Sequence, residues 1–141
     1  MSDINDCILE LGGMLYGGWT DVDIQTGLEQ IGGGFSISLT QRWPGVDVPQ
    51  DIREGAACKV RLGDDVVING YVDVVDIDCD ATSTQVKIEG RDRAGDLVDC
   101  SAIHKTGQWH GVRLEQIVAD IAAPFGISVA VDAGVSTGDV F

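Results

Sequence analysis

The sequence has few basic residues and no long apolar run, and each shortage excludes a class of protein. Nine lysines and arginines stand against 23 aspartates and glutamates, which gives a net charge of −14. Binding to nucleic acid through its phosphates needs a basic stripe, so that class is excluded. No apolar stretch is long enough for a membrane span or for the core of a secretory signal peptide.

The four cysteines, Cys7, Cys58, Cys79 and Cys100, are widely spaced and form no C-x-x-C pair. Without a predicted secretory signal, disulfides are not expected. We therefore predict four reduced thiols, most of them buried as small apolar groups.

Alternation of apolar and polar residues over the first 90 residues predicts strands. The inward positions of two of them are Val22, Ile24, Thr26 and Leu28, and Phe35, Ile37 and Leu39. The 19 glycines come in clusters without a three-residue period, which excludes collagen and indicates turns between strands. Six or seven strands with short connections favour a closed or nearly closed antiparallel β-barrel, with a β-sandwich as the alternative.

The segment over 66–80 changes its alternation halfway. Val72 and Val74 share one parity, whereas Val75, Ile77 and Cys79 share the other. A β-bulge near 74–75 would place all five side chains on one face of the sheet.

The pattern becomes helical after residue 110. Apolar residues at helical spacing are Leu114, Ile117, Val118, Ile121 and Ala122. Pro124 predicts an end near Ala123, Gly126 is placed to cap the exit, and residues 127–131 alternate as a strand. The expected fold is mainly β, an antiparallel β-barrel over 1–101 followed by a small α+β helix–strand unit over 102–141, which we expect to be an incomplete domain.

A calcium site is the first chemical hypothesis, because "DIDCD" gives Asp76, Asp78 and Asp80 the D-x-D-x-D spacing, with Asp73 nearby. An EF-hand loop starting at Asp76 needs glycine at its sixth position and glutamate at its twelfth. Those positions hold Ala81 and Lys87. The three aspartates also share one parity on a strand, so calcium is disfavoured.

Zinc and catalysis are also poorly supported. Cys100, His104 and His110 offer three zinc ligands, but the spacing C-x3-H-x5-H matches no common structural site. No G-x-S-x-G elbow and no P-loop occurs in the sequence. We therefore expect no catalytic residues, no metal and no cofactor, and the protein is not predicted to be an enzyme.

The stretch "IEGRDRAGDLVDCSA" over 88–102 places five charged residues between an apolar strand and a short apolar segment. Asp92 can cap a short helix that starts at Arg93. Leu97, Val98 and Cys100 would then pack down. Two roles stay open for Arg91 and Arg93, either local ion pairs or subunit contacts, since the guanidinium fork suits carboxylates. The residues themselves predict a structural corner that closes the barrel.

"GRDRAGDLVDCSA" resembles a signature of Mu-like phage tail proteins, the gpP-type baseplate hub proteins of contractile tails. "VVINGYVDVVD" is similar to the hairpin arm before that signature, and "RLEQIVADIAAPFGISVAV" to the helix–strand unit after it. The signature positions are Arg91, Asp92, Arg93, Asp96, Leu97, Asp99 and Cys100. The resemblance covers most of residues 1–131 and extends to the hub part of type VI secretion spike proteins.

The resemblance implies a structural virion protein of the tail baseplate, assembled in the host cytoplasm. Such hubs are homotrimers whose tail-tube-like barrels form a ring with pseudo-sixfold symmetry, with the tail tube protein above and the central spike protein below. The tape measure protein and other baseplate proteins are further candidate partners. DNA would pass through without specific binding. An acidic lumen would repel it, and Asp76, Asp78 and Asp80 are the candidate lining.

A function from another class is an acidic β-barrel module that binds a carbohydrate or a protein ligand. Such a module would be a stable monomer with a concave aromatic patch built from Trp19, Trp43 or Trp109. The two hypotheses differ in the mass of the protein in solution.

Overall fold

The computed structural model describes residues 6–41, 52–81, 83–102 and 106–132, together with Gly134 and Gly138. The chain divides into two compact units, Met1–Gly95 and Asp96–Phe141. Seven strands belong to the first unit: β1 (Cys7–Leu11), β2 (Met14–Tyr16), β3 (Asp21–Gln25), β4 (Gly34–Gln41), β5 (Ala57–Leu62), β6 (Asp65–Cys79) and β7 (Thr84–Asp92).

All seven strands lie in one sheet with the order β2-β1-β5-β6-β7-β4-β3, and every neighbouring pair is antiparallel. If the sheet were flat, its edge strands β2 and β3 would lie about 29 Å apart, at about 4.8 Å per step. Only residues 17–20 connect them, and the step from Tyr16 to Asp21 reaches about 17 Å at most. The sheet must therefore curl. It is a half-barrel whose edges are not paired with each other in the described residues.

The inner face of the curled sheet carries the core. Cross-strand pairs such as Leu9↔Val60 and Ile37↔Ile88 bring fully buried side chains together. The side chains that are at most 2% exposed are Leu9, Ile37, Val60, Ile68, Val72, Val86 and Ile88. The predicted mainly β, antiparallel fold is confirmed, and so are the inward positions of Phe35 and Ile37.

Two of the four thiols are buried and two are exposed. All four cysteines are free, as predicted, but Cys79 and Cys100 are exposed, which contradicts their expected burial. Burial raises the pKa of the Cys58 thiol to about 11, and the Asp73 carboxylate adds to the rise. Burial also raises the pKa of the Cys7 thiol. Both buried thiols therefore stay protonated and unreactive near neutral pH.

The bulge in β6 lies one residue earlier than predicted. The register against β7 shifts between Val72 and Val74, so Asp73 is the extra residue. Val75 and Ile77 then return to the inner face opposite Ile88 and Val86. Val74 was expected inside, but it pairs with Glu89 on the outer face and is 39% exposed.

Two other details of the first unit differ from the prediction. β3 ends at Gln25, and Leu28 is fully exposed, because a turn closed by a hydrogen bond from the Gln30 N–H to the Gly27 carbonyl interrupts the alternation. Ile77 and Cys79 lie on the inner side of β6 but are exposed, although Val86 opposite Ile77 is buried.

The second unit contains two helices, α1 (Asp96–Asp99) and α2 (Leu114–Ala122). The predicted apolar helix is confirmed as α2; a 3₁₀ turn, Ala123–Phe125, follows it, and Gly126 at φ 67° caps the exit. The predicted strand over 127–131 is wrong, because those residues form neither strand nor helix. A strand needs a partner for its backbone hydrogen bonds, and the described residues of this unit offer none. No described helix is long and apolar enough to cross a membrane.

The backbones of β6 and β7 approach each other unusually closely at two glycines. A Cβ on Gly70 would overlap the Arg91 carbonyl group and lie 2.8 Å from the Asp92 Cα. A Cβ on Gly90 would strike the Tyr71 carbonyl oxygen and the Phe35 ring. Only glycine fits at these positions, because a Cβ would collide with backbone atoms of the neighbouring strand.

We predict that Gly70→Ala lowers the free energy of unfolding by about 1–3 kcal/mol or more, because the added methyl group forces the two backbones apart. Urea unfolding measures the change. Gly17→Ala is the matched control, since its nearest neighbour would be the Cys7 carbonyl oxygen at 3.8 Å. That control should stay within about 0.5 kcal/mol of the wild type. Equal stability of both variants would contradict the close approach.

Candidate functional site

The candidate site is the corner that follows β7, which we call the signature corner and define as Arg91, Asp92 and Arg93 with the residues that touch them. β7 ends at Asp92, and a 3₁₀ turn, Arg93–Gly95, continues the chain. The Asp92 Oδ1 accepts a hydrogen bond from the Ala94 N–H at 2.7 Å. The Asp92 N–H donates to the Gly33 carbonyl at 2.8 Å. The predicted cap is thus confirmed, although it caps a 3₁₀ turn.

Arg91 forms the local ion pair that the sequence left open. Its Nε lies 3.5 Å from the Asp73 Oδ1, and both side chains are about 40% exposed. Because the bulge makes Asp73 the extra residue of β6, it places this carboxylate beside the arginine of the neighbouring strand. An ion pair this exposed contributes about 0–1 kcal/mol, so its main effect is to orient the arginine.

Arg93 is held differently. Its guanidinium carbon lies 5.4 Å from the centre of the Tyr71 ring, within the range of a cation–π contact. Its Nε is buried and has no hydrogen-bond partner among the described residues. The structure therefore pairs Arg93 with an aromatic face and not with a carboxylate.

The rest of the signature belongs to the second unit. Asp96 and Asp99 begin and end α1, and the Cys100 N–H donates to the Asp96 carbonyl at 3.0 Å. Leu97 is half-buried, but Val98 is 65% exposed and Cys100 is exposed, which contradicts the prediction that all three pack down. Successive side chains on a helix point about 100° apart. A single turn therefore cannot bury Leu97, Val98 and Cys100 against one surface.

The aspartates of the hairpin do not converge on one point. Asp76 pairs across the strands with Lys87, and Asp78 with Gln85, so both lie exposed on the outer face. Asp80 closes the hairpin turn by accepting hydrogen bonds from the Ser83 N–H at 2.7 Å and from the Ser83 hydroxyl at 3.0 Å. Within the ranges that the structure describes, no group of three histidine, cysteine or acidic side chains is placed to hold a metal.

Two residues of the other sequence hypotheses, His104 and Trp43, lie outside the described residues. Trp19 packs at the margin of the core in the first unit. In the second unit, the Trp109 indole N–H donates to the Asp120 Oδ2 at 3.1 Å.

A cavity of about 400 Å³ lies at the open edge of the half-barrel and was not predicted. Its lining includes Cys7, Leu15, Tyr16, Trp19 and Val22. The Trp19 indole nitrogen is buried without a hydrogen-bond partner among the described residues. The Gly-Gly-Trp segment between β2 and β3 contributes to this lining. Apolar–polar alternation predicts strands, so it gave no reason to expect a cavity at this segment.

Tyr71 and Asp73 are the site residues that the sequence analysis missed. Both lie on β6, at or next to the bulge, and both reach the signature arginines only because of the β6–β7 register. A hairpin register of this kind depends on where the bulge falls, and the sequence located the bulge only to within a residue or two.

Comparison with known sequence families matches two domains on this chain. A family described as "Mu phage baseplate assembly protein GpP-like, N-terminal" matches residues 6–92. A second, described as "Baseplate hub protein gp44-like, second domain", matches residues 94–141. The two matches meet at the signature corner.

Individual relatives agree with these families. The chain is 34% identical over 125 residues to the baseplate hub protein gp44 of Escherichia phage Mu, covering 89% of this chain and 32% of that protein. It resembles the 43 kDa tail protein of prophage MuSo2 from Shewanella oneidensis with a TM-score of 0.87 and 34% identity, covering 97% of this chain and 42% of that one.

A tail protein from Neisseria meningitidis MC58 shares the fold with a TM-score of 0.69 at 23% identity, over 84% of this chain and 33% of that one. The chain thus spans about a third of the curated relative and less than half of each solved structure.

We predict that Asp92→Ala lowers the free energy of unfolding by about 1 kcal/mol, because the Ala94 N–H loses its acceptor. Asp92→Asn is the matched control, since its side-chain oxygen can still accept that hydrogen bond, and it should cost clearly less. Urea unfolding of both variants measures the difference. A loss that is the same for both would assign the effect to charge and not to capping.

Proposed function

The chain belongs to the family of Mu-like phage baseplate hub proteins, and we propose that three copies of it form a ring that joins the tail tube to the central spike and lets DNA pass. The observation that carries this proposal is the match of the hub family to residues 6–92, which include the whole curled sheet. In this proposal the protein has a structural role in the virion and is not an enzyme.

The free edges of the half-barrel support assembly into a ring. β2 and β3 each have a strand partner on one side only among the described residues. Unpaired edges expose N–H and C=O groups and favour pairing with another chain. Closed rotational symmetry allows each copy to cover an edge of the next, which removes this liability without leaving a growing fibre.

We propose two domains, a hub barrel over 1–101 and the start of a second domain over 102–141. The division into compact units after Gly95 and the two family matches that meet near residue 93 support a border in this region. The partners in this proposal are the tail tube protein, the central spike protein and, further, the tape measure protein and other baseplate proteins. The assembled site of action is the virion tail, with assembly in the host cytoplasm.

We also propose that Asp76, Asp78 and Asp80 line the lumen of the ring. Asp76 and Asp78 lie exposed on one face of the β6–β7 hairpin, and Asp80 stands at its turn. Carboxylates in a channel repel the phosphates of DNA within a Debye length, about 8 Å at physiological salt. The lining would keep DNA moving through the ring without adhering to it.

The proposed ring predicts the mass of the protein in solution. Light scattering on the full chain over a range of concentrations should give three times the monomer mass of 14.9 kDa. A monomer at every concentration would contradict the ring. It would favour the acidic binding module instead, with the cavity beside Trp19 as the place to look for its ligand.

The second prediction concerns charge in the lumen. Virions that carry Asp76→Lys together with Asp78→Lys should assemble in normal numbers but eject DNA more slowly, because lysines in the channel bind phosphates. The rate of DNA release from purified virions measures the effect. Glu29→Lys with Glu54→Lys is the matched control, since both carboxylates are exposed and lie outside the β6–β7 hairpin. Unchanged ejection by the Asp76/Asp78 variant would contradict the lumen assignment.

A further inference from the structure

Almost every cation that the structure describes is occupied by a carboxylate. Seven of the nine lysines and arginines lie within the described ranges. Five of them form ion pairs, namely Lys59, Arg61, Lys87, Arg91 and Arg113. With 23 acidic residues in the chain, a cation that stays unpaired is unusual. Within these ranges the two exceptions are Arg53 and Arg93.

The two unpaired arginines differ in their surroundings. Arg53 is exposed, so water can satisfy all of its donors. Arg93 is half-buried, its guanidinium carbon lies 5.4 Å from the centre of the Tyr71 ring, and its Nε, like that of Arg91, is buried without a hydrogen-bond partner in the described part of the chain. A buried donor without a partner destabilises the fold, more so when the donor is charged. Unlike Arg91, Arg93 therefore has no carboxylate partner within the described residues.

The turn that carries Arg93 is rigid. Asp92 caps it, and Gly32 packs so closely against it that a Cβ there would lie 2.9 Å from the Gly95 Cα. The terminal nitrogens of this guanidinium are not among the buried unpartnered atoms of the described residues, and their fork suits a carboxylate. An arginine held in this way loses little conformational entropy on binding, which is the property of an interface anchor.

We propose that Arg93, stacked on Tyr71, binds a carboxylate of a second copy of this chain. The inference rests on the ring proposed above and names one of its contacts. The planar fork of a guanidinium matches the two oxygens of a side-chain carboxylate, and the chain has 23 aspartates and glutamates. The second copy supplies such groups in excess. Asp21 and Asp23, for example, lie on the free edge strand β3 and form no ion pair within the described residues.

The test compares arginine variants of the full chain by sedimentation equilibrium over a range of concentrations. Arg93→Ala should raise the dissociation constant for each interface roughly 30-fold, the effect of losing a strong interface anchor. Arg93→Lys keeps the charge but loses the planar fork, and should raise it by a smaller factor. Arg53→Ala is the matched control, since that arginine is also unpaired but exposed, and it should assemble like the wild type.

A second measurement separates assembly from folding. Tyr71→Leu keeps a bulky apolar side chain but removes the aromatic face, and should weaken association by roughly 2–5-fold. Urea unfolding of the dissociated chains shows whether each variant is folded. If Arg93→Ala does not fold, Arg93→Lys and Tyr71→Leu decide the question.

The outcomes distinguish the two proposals. Weaker association of folded Arg93 variants, with Arg53→Ala unchanged, supports the contact. A wild type that forms trimers, together with Arg93 variants that form them equally well, overturns the contact and leaves the ring intact. A wild type that is monomeric throughout overturns both.

Discussion

The close approach of β6 and β7 at Gly70 and Gly90 is the constraint on which the other features of this structure depend. With no side chain between the backbones, the end of β7 lies against β6 at the level of Tyr71. Two residues further along, the bulge at Asp73 turns a carboxylate toward Arg91. The cap at Asp92 then directs the chain into a turn that sets Arg93 over the tyrosine ring. A side chain at Gly70 or Gly90 would force the two strands apart where Arg91 contacts Asp73 and Arg93 contacts Tyr71.

The signature corner also differs from the rest of the chain in how its cations are paired. The chain has many more carboxylates than cations, and five of the seven described cations form ion pairs within the chain. The signature holds two of the nine cations and treats them in opposite ways. Arg91 forms an ion pair within its own chain, and Arg93 lies against an aromatic ring with no carboxylate partner among the described residues. From the sequence alone, local ion pairs and subunit contacts were both open as roles for Arg91 and Arg93. The structure assigns the local role to Arg91.

How much could be predicted follows from how local each feature is. Alternation in β4 correctly placed Phe35 and Ile37, because period two is a property of the strand itself. The Asp92 cap was also predictable, since its donor is two residues away. Leu28, Val74 and the segment over 127–131 were assigned wrongly, because a turn, a bulge offset and the lack of a strand partner each decided them. The contact between Arg93 and Tyr71 needs the register of two strands, which no single stretch contains.

The order of the strands has a consequence for how the protein is made. β1 and β2 form a local hairpin, as do β3 and β4, but β1 also needs β5 and β4 needs β7. A ribosome that has finished β4 at Gln41 must still add about 50 residues before β7 is complete at Asp92. At the usual speed of synthesis this takes roughly 3–10 seconds. During that time the first two hairpins expose unpaired edges and apolar faces to solvent, while the β6–β7 hairpin that joins the two halves of the sheet is completed last. Folding that depends on such distant pairings is slow, so the growing chain is exposed to aggregation until β7 is complete.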